Sequence, residues 1–572
     1  MWPHQRIWQF FSPPTSARDV GGAIVILHPT GVLGMTTTSI VTSTDETTAP
    51  LADRLAPSIP AVFFVCLSLF ATLISQGSLL NGDGDLARHL RHGLYMIQHG
   101  SLIWHDPFSF TRAGQPFVPF EYGSQLVYAI VFKTTGLAGV TVFAALLIGA
   151  TYALLARLLL RRDVDPLLVM VTVIAAAILG CQHWLARPHL ISWLLIVVCF
   201  GLIEFKRRPP LWAYPLLFAV WANLHGGWLY GIALLGIYVT GHAIQYYFVG
   251  RDAEERLLLR HYLAALALAV PATLATPMGF ELWAHLFRHL GDTYVIDHTM
   301  EFQSPNFHPF GAKILLAILI VAIAVLISSR RRIRVARMLL FLAGIWWSLT
   351  AVRNLSLFGL TGLTVVALHI DPEWRSLPNG WIARRQAAFA AGALRASTLT
   401  WVLPCSFFLG LLAVGHGSIL GHEIVANEFS AKVFPVTAVR KARDAQLSGP
   451  LFADFVWGGY ILFAWPGQRV FIDGGTDFYG AKVMRDFAQI SSLEPGWRTT
   501  LDRYDVEAVL TRSHSGLAHE LVRTPGWGLW YCDSLAIIAQ RIPFSDRAPN
   551  SAEKELEACA GPAPSDDLTK HR

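Results

Sequence analysis

Eleven apolar runs recur along this chain, at 58–80, 137–160, 166–182, 189–205, 211–223, 227–249, 260–276, 312–329, 335–351, 354–370 and 399–420. Runs of this kind leave few options. A hydrocarbon layer about 30 Å thick is crossed by roughly 20 helical residues, and a helix satisfies its own backbone there. The expectation is an α-helical polytopic membrane protein with about eleven transmembrane helices. The 211–223 run is short and should draw on its flanks, whereas 122–135 is too short to cross and reads as a re-entrant or interfacial helix. Composition agrees, because charged residues make up 15% of the chain against about 25% in soluble domains. Nineteen Trp and 34 Phe suit packed helices and interfacial belts. The net charge of +6 comes from short basic clusters between the apolar runs, which gives no continuous phosphate-binding face and argues against a nucleic-acid partner.

Those clusters set an orientation. With the N-terminus in the cytoplasm, alternate loops carry Arg161-Arg162, Lys206-Arg207-Arg208, Arg251 with Arg256 and Arg260, the run Arg330 to Arg337, and Arg384-Arg385. Every strong basic cluster then faces inward, as loop-charge asymmetry requires, and the C-terminal tail lies outside. Residues 1–57 read as a disordered cytoplasmic segment without a signal-peptide pattern, and Met35 is an alternative start to Met1. Cys66, Cys181, Cys199 and Cys405 fall inside apolar runs and read as buried small hydrophobes. Cys532 and Cys559 lie in the polar tail and pair only if that tail meets an oxidising compartment.

Polar chemistry gathers on the opposite face. It holds two long loops, 81–121 and 277–311, the tail, and the tight turns "HWLARPHL", "NLHGG" and "AVRNLS". The transmembrane domain is therefore 58–420, followed by a small α/β extracytoplasmic domain over 421–545 and a disordered tail at 546–572. In that α/β domain "GYILFAW", "RVFIDG", "VEAVLT" and "LAIIAQR" read as strands, with helices over 478–490, 496–504 and 516–524.

The first outer loop begins "NGDGDLARHL", placing Asp83 and Asp85 at the mouth of a span. Leu86, Leu90, Leu94 and Ile97 then recur at helical spacing, which predicts an amphipathic helix lying along the interface with Asp85 and His89 on one face. Asp106 and Glu121 follow in the same loop. Asp83, Asp85, His89 and Asp106 together have the donor types for an oxygen-preferring divalent cation, Mg²⁺ or Mn²⁺. Alternatively one carboxylate is a general base, or an aspartate simply caps the helix. Arg187 and Arg353 stand alone in outer turns, where topology disfavours a positive charge. A planar guanidinium there can clasp a phosphate, or it can extend to lipid headgroups. Asn223, His225 and Glu301 complete the candidate set. Carboxylates beside cations at the lipid edge are what transfer from a lipid-linked phosphosugar demands.

The arrangement resembles the GT-C class of polytopic glycosyltransferases. "D-x-D-L-x-x-H-L-R" from Asp83 to Arg91 and "DPFSFT-x-x-G-x-P" from Asp106 to Pro116 resemble the first loop of oligosaccharyltransferase catalytic subunits. "ARPH", "NLHGGWLYG", "TPMGFELW", "RNLSLF" and "WGGYILFAWPGQRVFIDGGTDFYG" are more similar to a bacterial GT-C-like group, and the likeness runs from about residue 58 onward. It implies that Asp83 or Asp85 acts in catalysis, through a metal or directly as a base, at the outer face of a bacterial cytoplasmic (inner) membrane. Trp457, Tyr460 and Asp473 resemble an acceptor-recognition segment but read equally as a β-hairpin with a Pro-Gly turn; the likeness departs at Gly458, where that family has an acidic residue.

The leading expectation is a membrane glycosyltransferase that moves a sugar from a polyprenyl-phosphate-linked donor to an extracytoplasmic glycan, lipid or protein acceptor. Asp85, assisted by Asp83, would bind metal or deprotonate the acceptor, and Arg187 and Arg353 would hold the donor phosphate. The rival is a non-catalytic GT-C-like scaffold or sensor that binds an envelope partner. A transporter ranks last, because paired Gly/Pro-broken spans in matching halves are not visible.

Overall fold

The computed structural model describes residues 56–205, 208–376, 398–542 and 549–561. Expectations for residues 1–55, for Lys206-Arg207, for Arg384-Arg385 and for 562–572 lie outside the described residues. Each of the eleven apolar runs folds as helix: Ile59–Leu73, the later part of Tyr122–Arg161, Pro166–Gly180, His189–Glu204, Ala213–Ala222, Trp228–Ile244, Ala253–Ala272, Phe310–Ser328, Val335–Thr350, Leu355–Trp374 and Leu399–Val414. Local signals fix several starts. Ser58 Oγ accepts from Ala61 N, Asp165 Oδ1 accepts from Leu167 N, and proline stands in the first turn of both helices.

The chain is a multi-pass membrane protein. Among the described residues five helices are long and apolar enough to cross a membrane: Tyr122–Arg161, Pro166–His183, Trp228–Val249, Phe310–Ser328 and Val352–Trp374. Five is fewer than the eleven spans expected. Helices such as Ala213–Ala222 and Val335–Thr350 have 10 and 16 residues, which is roughly 15–24 Å of rise and short of the hydrocarbon thickness. Phe70, Val171, Leu216, Ile320 and Phe407 nevertheless point outward from the bundle. Cys66 and Cys181 are also exposed, a departure from the buried reading that Cys199 and Cys405 do satisfy.

Tyr122–Arg161 is the central column. It breaks at Gly136, whose φ of 67° suits glycine, so 122–135 is a separate helical segment joined to the rest at a kink. Its small residues Ala144, Ala145 and Ala156 are fully buried, which lets neighbouring backbones approach where lipid offers no hydrophobic drive between helices.

The tail builds a four-stranded sheet. Leu451–Ala453 runs parallel to Ala508–Arg512, which pairs antiparallel with Ala536–Arg541, which in turn pairs antiparallel with Trp527–Cys532. Two of the expected strands therefore form, at "VEAVLT" and "LAIIAQR", while Leu451–Ala453 and Trp527–Cys532 were not foreseen. Helices Thr476–Ser491, Trp497–Arg503 and Gly516–Arg523 match the helical expectations. Within the stretch expected to be disordered, Pro549–Ala560 is a helix, tied to the sheet by a Cys532–Cys559 disulfide with Cα atoms 6.0 Å apart.

"GYILFAW" is not a strand. Asp454 caps a helix, Phe455–Ala464, by accepting from Val456 N. The helix tolerates Gly459 because a Cβ there would meet the Gly84 carbonyl at 2.4 Å. Local β-like composition is overruled by a close helix crossing. "RVFIDG" is extended but contributes only single bridges, Val470 pairing with Leu451 and with Ser109 of the first outer loop. Val470 N donates to Phe108 O and Phe110 N donates to Val470 O, so that loop is stitched onto the tail.

Helix Asp85–His99 is covered by protein on both sides rather than left open along its polar face. Leu86, Ala87, Arg88, His89, Leu90, His92, Gly93 and Met96 are all buried. Its apolar stripe meets Tyr122–Arg161, and its other side is covered by Phe455–Ala464 and the glycine turn at 474–475. The polar face that suggested exposure instead faces the tail.

Candidate functional site

Asp83 precedes the first turn of helix Asp85–His99. Its Oδ1 accepts from Asp85 N at 3.0 Å, an Asx turn one residue before the Gly84 N-cap, so neither aspartate caps the helix in the expected way. Oδ2 accepts from Arg187 Nη1 at 2.9 Å. Asp85 Oδ2 lies 2.6 Å from Arg187 Nη2, and Arg187 Nη1 also donates to Glu301. One guanidinium therefore joins three carboxylates from two distant loops. Arg187 is aimed by its turn: Tyr128 donates its hydroxyl to Arg187 O at 3.0 Å, and Ala186 N donates to Leu79 O.

Glu301 carries the network onward. Arg353 Nη1 is 3.7 Å from Glu301 Oε2, and its guanidinium lies 4.8 Å over the Phe302 ring. Val352 N donates to Gln303 O at 2.9 Å, which pins the two loops together. Arg353 is the most open member, its side chain 35% exposed against 18% for Arg187.

On the other side Arg88 Nε stands 3.8 Å from Asp85 and 4.0 Å from Asp473. Asp473 also accepts from Gly475 N and from the Tyr479 hydroxyl. Asp83, Asp85, Glu301 and Asp473 thus face Arg187, Arg353 and Arg88, an excess of one negative charge. The turn Asp473-Gly474-Gly475 fits against the helix start only because Gly474 lacks a Cβ, which would strike Asp85 Oδ1 at 1.7 Å.

A second polar layer lies behind. Glu121 is 3.7 Å from His89 Nδ1 and 3.4 Å from His225 Nε2. Gly227 N donates to His225 Nδ1, so the ring proton of neutral His225 sits on Nε2, facing Glu121. Asp477 of the tail lies 3.0 Å from His285 Nε2 of the second outer loop.

Burial and charge set the proton affinities. Loss of solvation raises the Asp83 carboxyl to about 6 against the pull of Arg187, with Asp85 and Glu301 adding to the rise. Burial lifts Glu121 to about 7 and Asp473 to about 6, each opposed chiefly by Arg88. For Glu301 burial acts upward too, but Arg187 and Arg353 outweigh it and hold the carboxyl below its usual range. Asp477 is likewise held low, its burial outweighed by the hydrogen bond from His285. Burial, then Arg353 and Arg187, lowers His225 to about 3, so that imidazole is neutral.

The expected metal quartet is not assembled. His89 turns to Gln125 and Glu121, and Asp106 is absorbed by its own loop, accepting from Phe108 N, Ser109 N and the Ser109 hydroxyl. Asp83 and Asp85 spend their facing oxygens on Arg187. Among the described residues no group of three or more His, Cys, Asp or Glu is arranged to hold a metal ion. The donor set here does not fit a divalent cation.

Other candidates are also drawn apart. Trp457 is fully buried, donates Nε1–H to Val433 O at 2.9 Å and has Arg512 over its ring, while Tyr460 stacks on Phe434. Neither aromatic is open to an acceptor. Asn223 is spent as a clamp, donating to Ala219 O and Ala275 O and accepting from the Tyr122 hydroxyl. Sequence reasoning overlooked Arg88 and the Asp477–His285 pair. Arg88 was signalled by its i+3 spacing from Asp85; the pair, joining residues 192 positions apart, had no local signal.

No protein-family model matches this chain, and no curated protein matches it. Among solved structures it is similar to the apo oligosaccharyltransferase of Archaeoglobus fulgidus, with a TM-score of 0.48 at 13% identity over 85% of this chain and 74% of that one. It is similar to ArnT from Cupriavidus metallidurans bound to undecaprenyl phosphate, with a TM-score of 0.44 at 15% identity over 85% of this chain and 99% of that one. It is also similar to the arabinofuranosyltransferase AftD from Mycobacteria, with a TM-score of 0.42 at 14% identity over 84% of this chain and 41% of that one. These neighbours are glycosyltransferases of the GT-C class.

Proposed function

We propose that this chain is a membrane glycosyltransferase that moves a sugar from a polyprenyl-phosphate-linked donor to an acceptor on the extracytoplasmic side of a bacterial inner membrane. The observation that carries the reading is the meeting of Asp83 and Asp85 with Arg187, linked through Glu301 to Arg353.

The chemistry follows from the charges. An acceptor hydroxyl or amide gives its proton to a carboxylate, and the freed lone pair attacks the anomeric carbon. The bond from that carbon to the phosphate oxygen breaks, and the electron pair leaves with the lipid phosphate. Asp83 serves as the proton acceptor: burial raises its carboxyl to about 6, and its side chain is 27% exposed against 13% for Asp85. Asp85 then steadies Arg187. Arg353, paired at only 3.7 Å, is the cation most readily offered to a phosphate, with Arg187 behind it.

Asp83→Asn and Asp85→Asn, expressed in membranes and shown to be inserted, test the reading by sugar transfer to cell-surface glycans or lipids. Both are expected to lose transfer by about two orders of magnitude or more, the ordinary worth of a positioned base. Unchanged transfer in both would refute the assignment. One observation favours the scaffold reading: Arg187 is saturated by three carboxylates and needs no ligand to be satisfied. A correctly inserted protein that retains no lipid-linked sugar on purification would favour it.

A further inference from the structure

The ends of the helices farthest from Arg187 and Arg353 enclose a second polar cavity. Helix His189–Glu204 begins beside Arg187 and ends at Glu204, while Val335–Thr350 begins beside Arg337 and leads to Arg353. At 16 residues each, these helices separate the two regions by about 24 Å. The cavity has a volume of about 330 Å³ and takes Arg162, Arg334, Arg337, Glu204, Glu254 and His242 into its polar lining. Ile203, Leu258, Ala336, Tyr238 and Tyr262 supply an apolar floor.

Its charges fall into two sets. Arg337 is committed: Nε and Nη2 donate to the two Glu204 oxygens at 3.1 and 2.7 Å, and the Tyr238 hydroxyl donates to Glu204 at 2.5 Å. His242 Nδ1 lies 2.6 Å from Glu255. Arg162 and Arg334 differ. Arg162 donates to the Glu204 backbone carbonyl, and neither forms an ion pair with a described residue. Two guanidinium groups without an ion-pair partner among the described residues, Arg162 also lying 5.9 Å over the Phe205 ring, outnumber Glu254 in the lining and form a receptor for a compact anion. The neighbouring end of helix Trp228–Ile244 continues into Tyr247, Phe248 and Val249, exposed by 61%, 84% and 60%. Exposed aromatic and apolar side chains beside arginines mark a membrane–water boundary.

We infer that this cavity binds the phosphate group of an anionic lipid, held by Arg162 and Arg334 at the membrane face opposite the candidate transfer site. The apolar floor and the exposed aromatic rim favour a lipid-borne phosphate over a soluble one. The inference does not rest on glycosyl transfer, and a failure of either leaves the other standing.

The test uses the full chain. In the lipid arm, protein is reconstituted in phosphatidylcholine nanodiscs containing phosphatidylglycerol as a minor component, and lipid retained after mild detergent extraction is measured by mass spectrometry. In the soluble arm, protein in pure phosphatidylcholine nanodiscs is titrated with inorganic phosphate by calorimetry. Wild type should enrich phosphatidylglycerol, and Arg162→Ala/Arg334→Ala should reduce the enrichment roughly thirtyfold, as expected for two juxtamembrane charges. The single rim variant Arg334→Glu, which spares all buried packing, should reduce it as well. Phosphate heat in the soluble arm that the same variants abolish, without phosphatidylglycerol enrichment, would overturn the lipid assignment in favour of a soluble phosphate. Lack of enrichment and of heat in wild type, or equal values in wild type and variants, would overturn the proposal.

Discussion

Arg187→Ala removes the cation around which the Asp83–Asp85–Glu301 network is built. Three carboxylates remain, with Arg353 3.7 Å from Glu301, Arg88 3.8 Å from Asp85, and Asp83 left without an ion-pair partner among the described residues. At an effective dielectric near 20, each lost contact is worth about 4 kcal/mol of gross attraction at charge separations of about 4 Å. Much of that is cancelled by the desolvation that the buried guanidinium no longer suffers. Removing one partner of a buried ionic cluster typically costs about 3–5 kcal/mol. Side-chain exposures of 13–27% for the three acids place this site at the lower end, about 3 kcal/mol near pH 8. The penalty should depend on pH in a defined sense. In wild type Glu301 has a depressed folded pKa, so its contribution is complete above its unfolded value of about 4.5 and is lost only as pH falls through the lower folded value. In the variant the acids lose their counterion, their folded pKa values rise, and proton uptake stabilises the folded state as pH falls. The deficit against wild type should therefore shrink from about pH 8 to about pH 5. Apparent unfolding temperatures of the purified protein in detergent at both pH values measure it, with Arg187→Lys as the variant that keeps the charge but loses the fork. A deficit of equal size at both pH values, or none near pH 8, would refute the reasoning.

Two further outcomes follow from the same geometry. If Asp83 is the base, transfer should fall as pH drops through about 6, and the fall should be missing from any residual activity of Asp83→Asn; a wild-type rate flat from about pH 5 to 8 would count against the assignment. Cys532→Ser should free helix Pro549–Ala560: closure over 27 residues is worth about 3.5 kcal/mol, so limited trypsin digestion should cleave within 549–561 faster in the variant, and equal rates would show that packing alone holds the helix.

The helices were legible because long apolar runs have one stable solution in a bilayer. The site was half legible. Asp83 and Asp85 lie two residues apart, and Arg187 and Arg353 are anomalous charges in outer turns, so local sequence marked all four. Their meeting through Glu301 depends on a short turn more than a hundred residues beyond Arg187, and no pattern within either segment records it. Misreadings have the same origin. "GYILFAW" has the aromatic and β-branched content of a strand, yet Asp454 caps it and the crossing with Gly84 selects a helix. The first-loop helix has an amphipathic pattern that fits an interface equally well until the tail supplies partners for its polar face. Trp457 looked like a binding platform because an aromatic beside glycines is ambiguous; Val433 and Arg512 decide the matter from outside the motif.

Arg88 shows what this assembly means for the site. It stands between Asp85, on its own helix, and Asp473, in the tail, at distances too long for strong hydrogen bonds and short enough for strong electrostatic coupling. Its Nε has no hydrogen-bond acceptor among the described residues, so the guanidinium is shared rather than owned. The first-loop acids therefore take their electrostatic environment partly from the tail. If the Asp473 turn moved away, Arg88 would turn wholly to Asp85 and compete with Arg187 for it, easing Arg187 toward Asp83 and Glu301. The bridges Ser109–Val470 and Leu451–Val470 oppose such movement by joining first loop, turn and sheet. The tail is thus a wall of the site rather than a neighbour to it, and the charge balance at Asp83 and Asp85 belongs to the folded whole.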